Sequence, residues 1–206
     1  MTFRPILILV LTAMMTGLGG CAAPKGADAS SVQQLTPTRK LIDAAGGEYE
    51  KFSEKLPGVV SDSPQVMRVI FAAHGLQPKD KWNPTMNFCV DTKRIGATHC
   101  LQAYATKDGT RLIGKTYWKA SEGAELVAAD LPFDLEALGE YSLDIIFFKD
   151  RLVMKIQDRQ IMDHPTQAVP DEYWYSCSSV VCSVEVLYPY VDLEQPPGAN
   201  DQAGVS

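Results

Sequence analysis

The stretch YSLDIIFFKDRLVMKIQDRQIM, Tyr141–Met162, decides the fold. A turn at Lys149-Asp150 pairs residues whose numbers sum to 299. Phe147 then faces Leu152, Ile145 faces Met154, and Leu143 faces Ile156, all six on one side. On the other side Asp144 faces Lys155 and Ser142 faces Gln157. One face is apolar and the other polar, as in an antiparallel sheet with one buried side. A slip of one residue would turn the apolar set outward, so the register is strongly specified. A second turn at Asp158-Arg159 is expected to bring Ile161 opposite Ile156.

Strand signals continue on both sides. Asn87–Asp91 and Thr98–Ala105 flank Lys93-Arg94-Ile95-Gly96. Lys107-Asp108-Gly109-Thr110 is a turn, followed by Arg111–Trp118, a turn at Ser121-Glu122-Gly123 and Glu125–Ala128. Tyr173–Tyr188 supplies the last strands, where Val184, Val186 and Tyr188 alternate with Ser183, Glu185 and Leu187.

Two earlier segments read as helical. In 37–56, Leu41, Ala44 and Ala45 share a helical face, as do Tyr49, Phe52 and Leu56. Gly46-Gly47 weakens its middle by roughly 1 kcal/mol per glycine, and Pro57-Gly58 ends it. In 63–76, Ser63 can cap, Pro64 suits the first turn and Gly75 the exit. Val66, Val69, Ile70 and Ala73 follow the helical period. A strand over Val66–Ala72 is the rival reading, because several of those residues are β-branched.

At least seven short strands with hairpin links follow the helical part. The expected fold is mainly β, an antiparallel β-sandwich with a short N-terminal helical element. The alternation from Tyr141 to Arg159 resembles the central strands of concanavalin-like and laminin-G-like jelly rolls.

Five cysteines divide into one near the start and four within the strands. A turn centred on Arg94-Ile95 makes pair sums of 189 and sets Cys89 across from Cys100. Cys177 and Cys182 bracket a four-residue stretch expected to be a hairpin loop. These local pairs suit disulfide separations of ~5.5 Å. A long-range link such as Cys89–Cys182 is the competing connectivity. A four-thiolate zinc site fits these spacings poorly, so no metal or cofactor is expected.

The N-terminus reads as an export signal. Arg4 is followed by the ten-residue apolar run Ile6–Met15, too short to span a bilayer, which takes ~20 residues. Leu18-Gly19-Gly20-Cys21 resembles the lipobox of bacterial lipoproteins: an aliphatic residue, two small residues and the lipidated cysteine. The resemblance implies a signal peptide over 1–20 and a diacylglycerol thioether and N-acyl chain on Cys21. Ala22, in place of the Asp that retains such proteins at the inner membrane, implies the outer membrane. Two or more acyl chains give stable anchoring. Residues 21–36 lack periodicity and read as a tether, and the fifteen after Cys21 reach at most ~50 Å at ~3.3 Å each. Residues 37–191 hold the sandwich, and 192–206, with Pro196-Pro197-Gly198, read as a disordered tail.

Removing residues 1–20 takes away only Arg4. The remainder carries 18 basic and 25 acidic side chains, a net charge of −7. That mild acidity argues against a nucleic-acid surface, which needs basic stripes. His74, His99 and His164 share no ligand spacing. Gly-x-Ser-x-Gly, phosphate-loop and dinucleotide fingerprints are absent. The i, i+2 carboxylate pairs Asp134/Glu136 and Asp192/Glu194 fall outside the expected strands, and Asp144 reads as the partner of Lys155. Aromatics remain: Trp82, Trp118 and Trp174, the last between Tyr173 and Tyr175, could stack on a sugar ring or a protein partner.

The expected function is therefore a lipid-anchored envelope protein whose sandwich binds a protein or a glycan without catalysis. A polysaccharide hydrolase or lyase, and an inhibitor or assembly factor of an envelope complex, are the alternatives. Replacing Cys21 with serine should release the protein from the membrane fraction. Unchanged fractionation, or a wild-type chain without acyl groups by mass spectrometry, would contradict the anchor.

Overall fold

The computed structural model describes residues 37–56, 64–79 and 82–189. It contains ten strands: β1 (Thr38–Lys55), β2 (Gln65–Leu76), β3 (Thr85–Thr92), β4 (Ala97–Ala105), β5 (Arg111–Lys119), β6 (Val127–Glu136), β7 (Glu140–Phe147), β8 (Arg151–Ile156), β9 (Arg159–Pro165) and β10 (Glu172–Leu187). Every pairing is antiparallel, in the order β6-β5-β4-β3-β10-β2-β7-β8-β9, with β1 also on β10.

Strand β10 joins two sheets. Glu172–Ser178 pairs with β3, and Val180–Leu187 pairs with β2. Along its other edge β10 pairs with β1 through both halves. The first sheet is thus β6-β5-β4-β3-β10-β1 and the second is β9-β8-β7-β2-β10-β1. Their inner faces meet in one core. Phe71 of β2 packs on Phe88 of β3, with ring centroids 4.5 Å apart, and on Tyr141 of β7. At the far side Trp118 of β5 stacks on His164 of β9 at 4.3 Å. The result is an antiparallel, jelly-roll-like β-sandwich.

The bend in β10 lies between Cys177 and Cys182. Five residue steps of straight strand would span ~16 Å, yet their Cα atoms are 6.7 Å apart. Ser179 takes a left-handed φ of 52° at the bend, and Gly47 takes 89° in the β1 bulge opposite. The Gly47 N–H donates to Ser179 Oγ at 2.8 Å, the Ser178 hydroxyl donates to Glu48 O at 3.1 Å, and Gln77 N–H donates to Ser179 O at 2.8 Å. Polar groups of the buried corner thereby find partners from two neighbouring segments. A Cβ on Gly46 would sit 3.1 Å from the Gln77 carbonyl, so the bulge leaves little room for a side chain there.

Both segments read as helices are strands. In β1 the buried Ile42 and Ala44 alternate with the exposed Leu41 and Asp43, a period of two rather than 3.6. Gly46-Gly47 forms a bulge instead of weakening a helix. In β2 the buried Met67, Val69, Phe71 and Ala73 also alternate, and the strand alternative is the one that forms. Met67, Val69, Phe71 and Ala73, packed between the two sheets, outweigh the capping signals. Pro57-Gly58, Ser63, the signal and lipobox residues 1–20 with Cys21, the tether 21–36 and the tail 192–206 lie outside the described residues.

The central hairpin keeps the expected register: Leu143 faces Ile156, Ile145 faces Met154 and Phe147 faces Leu152, all buried. Three expectations change. Asp144 lies opposite Lys155 but is gripped by Arg68 of β2, Nε to Oδ1 at 2.6 Å and Nη2 to Oδ2 at 2.7 Å. The second turn is Gln157-Asp158, with φ 45° and 65°, the primed geometry that matches hairpin twist. Ile156 therefore pairs with Arg159, and Ile161 falls at a bulge that returns Met162 to the core beside Met154. Finally, β6 runs Val127–Glu136, so Asp134 and Glu136 do lie on a strand.

Both local disulfides form, Cys89–Cys100 and Cys177–Cys182. The first bridges directly facing residues of β3 and β4. The second clips the corner within one strand rather than closing a hairpin loop. Ser179→Ala should leave the Gly47 N–H unsatisfied in the corner and lower unfolding stability by about 1–3 kcal/mol in denaturant titration. An unchanged midpoint and slope would show that the corner does not depend on that hydroxyl.

Candidate functional site on the outer face of the first sheet

In β10 the inward residues are Tyr173 and Tyr175, so Trp174 and Ser176 point outward. Facing residues on antiparallel strands share a side. The registers therefore give the outer face row by row. Tyr104 of β4 lies beside Thr85 and Ile113. Asn87, Gln102 and Lys115 form the next row with Ser176 and Lys51. Cys89, Cys100 and Tyr117 form the third with Trp174. Asp91, Thr98 and Lys119 form the last with Glu172 and Lys55.

A chain of side-chain hydrogen bonds crosses four strands here. The Tyr117 hydroxyl donates to Gln102 Oε1 at 2.8 Å, Gln102 Nε2 donates to Asn87 Oδ1 at 2.9 Å, and Asn87 Nδ2 donates to Ser176 Oγ at 3.0 Å. This sequence fixes both amide orientations. Each amide keeps a second N–H for another acceptor, and both side chains are half-exposed. The Trp174 indole is held beside them: its Nε1–H donates to Asp91 Oδ2 at 3.0 Å, and Lys51 Nζ stands 4.0 Å above its ring. Asp91 also accepts from the Thr98 hydroxyl at 2.5 Å. Tyr104, with Lys115 Nζ 5.6 Å from its ring centre, adds a third half-exposed aromatic.

The three tryptophans are not brought together. Trp174 belongs to this face. Trp118 points inward and packs against the core. Trp82 is 55% exposed in the link between β2 and β3, where it forms a bridge with Lys79. Composition does not mark Asn87, Gln102, Tyr104 and Tyr117 as a group. Strand alternation around the 189 register would have placed the first three on one face.

The carboxylates on this face have cationic partners. Lys93 lies 3.8 Å from Asp91 and 3.2 Å from Glu172, and Lys115 lies 3.4 Å from Asp130. The hydrogen bond that Lys93 donates to Glu172 raises the Lys93 pKa, and the one that Lys115 donates to Asp130 raises the Lys115 pKa. Asp134 pairs with Arg111.

The chain matches no protein-family model and no curated protein. Solved structures with a similar arrangement include sheep galectin-11 in complex with glycerol, at 12% identity over 66% of this chain and 96% of that chain, TM-score 0.41. The Bacillus licheniformis β-glucanase aligns at 11% identity over 74% and 92%, TM-score 0.42. Crh5 transglycosylase in complex with NAG aligns at 8% identity over 75% and 73%, TM-score 0.49. Likenesses at this level assign no function.

A second cluster sits between the sheets. The sequence spacing separates His99 from His164, but the fold sets their rings 6.5 Å apart with Trp118 stacked against both. His74 is apart from them, hydrogen-bonded to Ser183 Oγ at 2.8 Å. His99 is 2% exposed, and neither ring nitrogen has a partner. Burial, then the neighbouring His164, push its pKa down to about 4, against a smaller opposing pull from Asp91. Unfolding restores an ordinary imidazole near 6.5, so between pH 6.5 and 4 the unfolded chain binds more protons. The native fold therefore keeps full stability above pH 6.5 and loses it as pH falls toward 4. His164 is lowered as well, by burial, so comparing the pH dependence of unfolding in wild type and His99→Leu should show a steeper loss in wild type. Parallel curves would place the acid sensitivity elsewhere.

Proposed function

We propose that this chain is a lipid-anchored cell-envelope protein whose β-sandwich is a non-enzymatic glycan-binding module. The supporting observation is the oriented Tyr117–Gln102–Asn87–Ser176 chain beside the half-exposed rings of Trp174, Tyr117 and Tyr104. A pyranose has apolar C–H faces and an equatorial rim of hydroxyls. Aromatic rings suit the first, and amides with spare N–H groups suit the second. The site is preorganised because each amide is already held by its neighbours, which limits the entropy lost on binding. A protein partner would favour a larger apolar centre than this face offers.

The anchor rests on Leu18-Gly19-Gly20-Cys21, with the acyl chains holding the module at the outer membrane and residues 21–36 as its tether. No nucleic acid, metal or cofactor enters this reading.

Full-length protein in non-ionic detergent, applied to an array of bacterial and plant glycans, should retain at least one glycan class. Trp174→Ala, with its melting transition intact, should weaken that retention about tenfold or more. Equal retention by the variant would move the site off this face, and a folded wild type that retains no glycan would refute the reading.

A further inference from the structure

The outer face described above carries three lysines that its own acids do not engage. Lys51, Lys55, Lys93, Arg111, Lys115 and Lys119 lie on it or at its rim, with Asp91, Glu172, Asp130, Asp134 and Glu136. Lys93 is engaged with Asp91 and Glu172, Lys115 with Asp130 and Arg111 with Asp134. Among the described residues, Lys51, Lys55 and Lys119 have no acidic partner. The whole chain has a net charge of −6, so three lysines without acidic partners on one face stand out against the protein's charge.

The three lysines are placed by register. Lys55 aligns with Glu172, Asp91, Thr98 and Lys119 across β1, β10, β3, β4 and β5, and Lys51 stands four residues away on β1. Four interstrand steps separate Lys55 from Lys119, or ~19 Å at ~4.8 Å each. The cations therefore bracket the amide chain and Trp174 rather than sitting in one spot. Lys51 is also positioned to exchange partners. Its ammonium rests on the Trp174 ring, an exposed contact that is weak and easily replaced. A ligand anion would draw it into an ion pair and uncover the ring for stacking.

We infer that the ligand of this face is an anionic polysaccharide, whose carboxylate, sulfate or phosphate groups pair with Lys51, Lys55 and Lys119 while its sugar rings meet Trp174 and the amides. This rests on the glycan-binding reading and goes beyond it by naming the charge of the ligand. A polyanion with several widely spaced charges matches cations spread along the sheet better than a single anion does. Ion pairs at an exposed face are screened by salt, so the preference should be salt-dependent.

The test measures binding of full-length protein in non-ionic detergent to alginate oligosaccharides, a sulfated glycan and neutral cello-oligosaccharides, at low salt and at roughly 1 M salt. The expected result is at least tenfold tighter binding of an anionic glycan than of the neutral one at low salt, collapsing at high salt. The carboxylated and sulfated arms distinguish which anion is preferred. The triple variant Lys51→Met, Lys55→Met, Lys119→Met should lose the anionic preference while keeping its melting temperature, whereas Trp174→Ala weakens neutral and anionic binding alike. Equal wild-type affinity for neutral and anionic glycans, or a triple variant that retains the preference, overturns the inference and leaves the glycan-binding reading standing. Binding of none of the glycans by folded protein defeats both.

Discussion

The fold depends on a single strand serving two sheets. β10 can leave β3 for β2 only by turning sharply over a few residues, and a sharp turn inside a core strands backbone polar groups. Those groups are satisfied by serine: Ser179 accepts from Gly47 through its hydroxyl and from Gln77 through its carbonyl, and Ser178 donates to Glu48. The Cys177–Cys182 disulfide spans the same bend. β1 must bend in step, and the Gly46-Gly47 bulge lets it do so. From this corner the two sheets close over Phe71, Phe88 and Tyr141.

The corner also determines what the outer face offers. It ends the first half of β10 at Ser178, so Trp174 and Ser176 point away from the core while Tyr173 and Tyr175 fill it. The partners of those outward residues come from β3, β4 and β5 through registers pinned by two tight turns and the Cys89–Cys100 bridge. A polar chain across four strands needs each strand in register to within one residue. The face is thus a rigid consequence of the sandwich rather than a loop assembled upon it, which suits recognition by preorganisation.

Much of the sheet was legible because side-chain alternation and turn residues are local. The Tyr141–Met162 hairpin and the 189 register followed from pairing apolar positions around Lys149-Asp150 and Arg94-Ile95. The N-terminal strands were not legible in this way. Ile42 and Ala44 alternate with Leu41 and Asp43, but Leu41, Ala44 and Ala45 also lie on a helical face, and only the neighbouring β10 decides between the two periods. The Gln157-Asp158 turn was missed because neither residue is a glycine, although both adopt positive φ. Arg68 was hidden from Asp144 because 76 residues separate them. The same distance effect dispersed the site: Tyr117, Gln102, Asn87 and Ser176 come from four strands, and only Trp174 stood out by residue type. Trp118, a stacking candidate by residue type alone, is placed inside by the register, against His164.

The central claim is that the outer face carrying Trp174 contacts ligand. Three tryptophans give three indole N–H signals in a two-dimensional amide spectrum, one on this face, one between the sheets and one in the β2–β3 link. Titrating the labelled protein with an alginate oligosaccharide should shift the Trp174 signal, whose proton is bonded to Asp91, together with the side-chain amides of Asn87 and Gln102, and leave Trp118 still. A saturating titration that moves Trp118 and not Trp174, or moves none of these signals, would contradict the account.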